Sequence, residues 1–85
     1  GYQKVIPLTE LILQALQLQG GRLPFDDKSS PEQIRKAFSV SKNTFKLALS
    51  ALYRDRKIAF DNGSTILTPE GELFLKTEWQ PGMKA

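Results

Sequence analysis

Apolar residues recur at helical spacing near the start of the chain, with Leu8, Leu11, Ile12, Ala15, Leu16 and then Gln19 along one face. Thr9 can cap that helix, and Gly20-Gly21 stops it after Gln19. Arg22 to Phe25 reads as a short extended segment. Pro24 drives Leu23 toward the β region and offers no N–H to a ladder, so this segment suits only a sheet edge. Ser30-Pro31-Glu32-Gln33 combines a serine N-cap, proline at the first helical position, an acid in the first turn and glutamine where a capping box requires it. The short helix it opens buries Ile34, Ala37 and Phe38, and Ser39-Val40 interrupts it. Ser41 then caps a third helix from Lys42 to near Arg56, in which Phe45, Ala48, Leu49 and Leu52 repeat at i, i+3, i+4 and i+7.

Beyond Lys57 the pattern changes. Ile58-Ala59-Phe60 and Thr65-Ile66-Leu67 flank Asp61-Asn62-Gly63-Ser64, and Asn-Gly is the preferred pair for a type I′ hairpin turn; in that register Phe60 faces Thr65 and Ile58 faces Leu67. Thr68-Pro69-Glu70 starts a last short helix carrying Leu73 and Phe74, with Gly71 as an unfavourable residue inside it. Helix, short strand, helix, turn, helix, hairpin is the order of a winged helix-turn-helix, an α+β fold in which a three-helix bundle carries a small antiparallel sheet with a β-hairpin wing. Val40 is the apolar plug expected beneath the tight turn. That turn lacks its usual glycine, so a serine or valine must take up the unfavourable backbone. The expected organisation is a linker over residues 1–8, one domain over 9–79 and a flexible tail over 80–85.

Eighty-five residues support one core, because a chain of this length buries only about 60–65% of the surface exposed on unfolding. A hydrophobic fraction of 40% and a charged fraction of 25% match a globular domain rather than a disordered or membrane protein. No apolar run is long enough to span a bilayer and no signal-peptide pattern opens the chain, so the cytoplasm is the expected compartment. Cysteine and histidine are both absent, which removes disulfides, the thiolate nucleophile, the commonest general base and the usual zinc ligands. No convergent acid, base and nucleophile remains. The expectation is a binding module without catalysis or cofactor.

The net charge of +3 is unevenly spread: Arg35, Lys36, Lys42, Lys46, Arg54, Arg56 and Lys57 lie against Asp55 alone, whereas the rest of the chain is net acidic. On the third helix Lys42, Lys46, Ser50 and Tyr53 or Arg54 recur about every four residues, opposite Phe45, Leu49 and Leu52. Such a stripe suits phosphates, because neutralising them releases counterions and supplies sequence-independent affinity. Lys42 and Asn43 also sit at the helix N-terminus, where free N–H groups favour an anion. Arg35 and Lys36 extend the basic surface, and Tyr53 can stack a base. The plainer alternatives are that the lysines are only solvated surface, that Asp55 ties up Arg54 and Arg56, and that Tyr53 is core with its hydroxyl at the rim. The hairpin tip offers an acid, Asp61, where a DNA-contacting wing carries arginine or lysine. Adjacent Asp26 and Asp27 point apart and read as turn and cap formers rather than metal ligands. Leu47, between the core and basic faces, would mark a protein contact if exposed.

Over Asp27-Lys28-Ser29-Ser30-Pro31-Glu32-Gln33-Ile34, then Phe38, Ser41-Lys42, Phe45-Lys46 and Leu52-Tyr53-Arg54, the sequence resembles the C-terminal winged-helix domain of the conserved virulence factor B family, from about Leu11 to Ile58. It differs at Ser50, where the family's glycine is expected, and its hairpin keeps only Asn62-Gly63 of the family pattern. The resemblance implies a bacterial cytoplasmic protein that binds RNA and affects gene expression, in which this module follows OB-fold domains of the ribosomal S-one type. RNA is thus the favoured partner, with the protein's own N-terminal OB-fold domains as a second and a monomer as the expected state. The rival expectations are a protein-interaction or intramolecular docking module and, after it, a duplex-DNA transcription regulator.

Overall fold

The computed structural model describes residues 6–77. Its elements are α1 (Leu8–Leu18), β1 (Arg22–Leu23), α2 (Pro31–Phe38), α3 (Lys42–Arg54), β2 (Ile58–Asp61), β3 (Ser64–Leu67) and α4 (Pro69–Thr77). The strands form one antiparallel sheet in the order β1-β3-β2. This is the expected winged-helix arrangement, with β1 at a sheet edge. The expected tail over 80–85 lies outside the described residues, as does most of the linker over 1–8.

The local signals act as their chemistry predicts. Ser30 Oγ accepts from the Gln33 N–H and Gln33 Oε1 accepts from the Ser30 N–H, closing the capping box of α2. Ser41 Oγ accepts from the Thr44 N–H at the start of α3. Ser39, at the end of α2, takes the left-handed conformation at φ 61° in place of the missing glycine. Val40 is half-buried against the core. In the hairpin Asn62 and Gly63 both have positive φ, as a type I′ turn demands, and Phe60 pairs with Thr65 and Ile58 with Leu67.

Four expectations need correction. Thr9 does not cap α1: the helix starts two residues earlier, at Leu8, with Pro7 at the N-cap and no side-chain cap. Its buried stripe is Ile12, Leu13 and Leu16, while Leu11 and Gln19 are exposed, because α1 is wedged among α3, α4 and the sheet rather than laid on a single surface. Ala37 is exposed, leaving Ile34 and Phe38 to anchor α2. In α4 the buried residues are Gly71 and Leu75, with Phe74 half-buried and Leu73 exposed.

Gly71, the unfavourable residue, has a steric reason. A Cβ there would collide with the Lys57 carbonyl oxygen and Leu67 Cδ1, so only glycine lets α4 close on the end of α3. Thr68 secures the same junction, donating to the Arg56 carbonyl at 2.6 Å and accepting from the Gly71 N–H at 3.1 Å. The core combines Ile12, Leu16, Ile34, Phe45, Leu49 and Ile58, flanked by a contact chain of Phe25, Phe38 and Phe45. The buried Thr65 hydroxyl donates to the Phe25 carbonyl at 2.7 Å, so the loop after β1 is tied to the sheet.

Candidate nucleic-acid interface

Burial of Phe45, Ala48, Leu49 and Leu52 fixes the rotation of α3, and its outward face follows from 3.6 residues per turn. Lys46, Ser50, Tyr53 and Arg54 are exposed there, with Asn43 exposed and Lys42 half-buried at the N-terminus. Acids stand in the first turns of α1, α2 and α4, whereas α3 has none and opens on Lys42. Lysine at that position opposes the helix dipole, by about 0.3–1 kcal/mol in exposed settings.

Lys46, Leu49, Ser50, Tyr53, Arg54 and Phe60 line a cleft of about 250 Å³, which Asp27 borders. Arg35 and Lys36 do not join it: they line a separate hollow on α2 with Pro31 and Glu32. Asp55 does not tie up its neighbours. Its carboxylate approaches Lys57 Nζ at 4.0 Å, and among the described residues no ion pair involves Lys42, Lys46, Arg54 or Arg56. Lys57 itself lies 3.8 Å from the centroid of the Phe74 ring, a cation–π contact that commits it to the fold.

Tyr53 is neither core nor a lone surface ring. It is 57% exposed and stacks on Phe60, with centroids 5.3 Å apart and planes inclined by 23°. Alternation along β2 puts Phe60 on the same sheet face as buried Ile58, but nearer the hairpin tip, where it extends past the core and meets the last turn of α3. Sequence reasoning missed Phe60, although its inward register and the strand's projection beyond Ile58 were both readable. It counted Arg56 in the basic stretch but not among the contact residues; Arg56 lines a neighbouring cleft with Tyr53 and Arg54. On the opposite sheet face, Arg22 bonds Asp61 at 2.8 Å, so the acid near the wing tip is paired and the hairpin carries no net positive charge to a duplex groove. Leu47 is 66% exposed. No helix among the described residues is long and apolar enough to cross a membrane.

Comparison with known proteins places this geometry in context. The model of a family described as "CvfB-like winged helix domain" matches residues 10–67. A protein named conserved virulence factor B from Staphylococcus saprophyticus is 47% identical over 51 residues, covering 60% of this chain and 17% of that protein. Its namesake from Staphylococcus aureus strain USA300 is 42% identical over 62 residues, covering 73% of this chain and 21% of the relative. The chain thus spans about a fifth of the length of these relatives. A crystal structure described as a multidomain protein with nucleic acid binding domains, from Streptococcus pneumoniae TIGR4, superposes with a TM-score of 0.71 at 35% identity, covering 80% of this chain and 24% of that one.

Proposed function

Because the chain belongs to the CvfB-like winged helix domain family, we propose that it is a non-catalytic nucleic-acid-binding module, with RNA as its partner, that acts within a larger cytoplasmic protein alongside OB-fold domains and affects gene expression. The observation that carries this reading is the solvent face of α3, where Lys42, Lys46 and Arg54 stand free of ion pairs among the described residues and Arg56 continues the row. Their cations contact phosphates, Asn43 adds a polar contact at the helix start, and Arg35 and Lys36 supply longer-range attraction from α2. Phosphate contacts position a strand without reading its sequence, so specificity is low. The nucleic-acid binding domains of the pneumococcal multidomain protein are consistent with this reading. The uncharged balance of the wing disfavours duplex DNA.

The test is fluorescence anisotropy of labelled single-stranded RNA across a salt series, with duplex DNA of matched sequence beside it. Lys42→Glu with Lys46→Glu is expected to weaken RNA binding and flatten its salt dependence without lowering the melting temperature, since an acid at the start of α3 suits the helix dipole. Unchanged affinity would refute the assignment. One observation favours a second reading, docking to a protein domain: Leu47 is exposed on the same helix. In that case Leu47→Asp abolishes docking and spares RNA binding.

A further inference from the structure

We infer that Tyr53 and Phe60 form a stacking platform for an unpaired base, so that this face selects single-stranded RNA over double-helical RNA; the inference rests on reading α3 as an RNA contact. Tyr53 is 57% and Phe60 40% exposed, although Leu52 and Ile58 close by in sequence are buried. The two rings are stacked with centroids 5.3 Å apart, and their exposure leaves aromatic surface on which a base can stack. Cations stand in both of the clefts that Tyr53 lines. The cleft of about 250 Å³ brings Lys46 and Arg54 to one side of Tyr53. A second cleft, of about 560 Å³, brings Arg56 to it along with Arg54, with Pro69 and the acid Glu70 at its border. Tyr53 lines both clefts, so a strand crossing this surface meets cations before and after an aromatic ridge. Stacking on aromatic side chains is the sequence-tolerant mode by which single strands are held, whereas bases within an A-form helix are already stacked and their major-groove edges are out of reach of side chains.

The experiment compares three labelled ligands of equal length on the unaltered 85-residue chain: single-stranded RNA, the same backbone with abasic residues, and duplex RNA. The single strand is expected to bind about 5- to 100-fold more tightly than the abasic strand. Tyr53→Ala should bring the single strand down to the abasic level without weakening the abasic strand, and Tyr53→Phe, which keeps the ring, should retain the preference. Equal, salt-dependent binding of the intact and abasic strands would overturn the platform while leaving the phosphate-binding reading intact. A preference for bases that survives Tyr53→Ala would also overturn it, by placing the base contact elsewhere. No binding of any ligand would overturn both readings. The abasic comparison needs no substitution, so it decides the matter even if Tyr53→Ala disturbs the hairpin.

Discussion

Helices α1 and α3 end in the same hydrogen-bond pattern, built on different residues. After α1 the Gly21 N–H reaches the Leu16 carbonyl at 2.7 Å and the Gly20 N–H reaches Gln17 at 3.3 Å, with Gly20 at φ 77°. After α3 the Lys57 N–H reaches the Leu52 carbonyl at 3.0 Å and the Arg56 N–H reaches Tyr53 at 3.0 Å, with Arg56 at φ 62°. Both are Schellman ends, a motif that favours glycine at its left-handed position. The first helix uses glycine there. The third accepts an arginine, whose Cβ makes that conformation unfavourable by about 1–2 kcal/mol. Arg56 makes no ion pair among the described residues that would offset this. The contrast is that α1 ends on a residue suited to the left-handed position, whereas α3 ends there on a cation; on the proposed function, that cation beside Tyr53 is what the unfavourable backbone is kept for.

The comparison can be broken or sharpened by substitution. The largest effect is expected from Gly71→Ala, which forces a methyl group against the Lys57 carbonyl and pries α4 from the end of α3. A loss of about 2–3 kcal/mol should appear in urea denaturation. Gly20→Ala meets no atom within 4 Å, so it isolates the conformational cost at the α1 end, about 1–2 kcal/mol by the same assay. Arg56→Gly should do the opposite and gain about 0.5–1 kcal/mol, a rise of a few degrees in Tm, while RNA affinity falls and the salt slope shrinks by about one. If Arg56→Gly destabilises the chain instead, the arginine serves the fold and the contrast fails. Leu47→Asp should change stability by less than about 0.5 kcal/mol and leave RNA affinity as it was.

The fold was legible wherever a short-range device sets it. Ser30 with Gln33, Ser41, and Asn62-Gly63 each act within a few residues, and all three perform as their chemistry predicts. Reading failed where several partners compete for one element. On α1 the period of Leu8, Leu11 and Ala15 pointed to a single-sided helix, but α3, α4 and the sheet together rotate its buried stripe toward Leu13. Gly71 looked like a defect because its reason is the Lys57 carbonyl, which comes close only in the folded chain. The basic stripe of the candidate site follows from helical spacing and was visible. Of its aromatic half Tyr53 was named as a base-stacking residue, but its pairing with Phe60 was not, since the two meet only because the hairpin returns along the last turn of α3. The pairing of Arg22 with Asp61, residues far apart in the chain that meet across the sheet, was hidden for the same reason.

On the proposed function, the exposed side of α3, together with Phe60 of the hairpin, is the surface that contacts RNA. Chemical-shift mapping of the isotope-labelled chain titrated with single-stranded RNA tests it most directly. The account predicts that backbone and side-chain shifts concentrate at Lys42, Asn43, Lys46, Tyr53, Arg54, Arg56 and Phe60 and fade as salt is raised. Shifts confined to α1 and α4, around Leu11, Leu18 and Leu73, or no shifts at all, would contradict it.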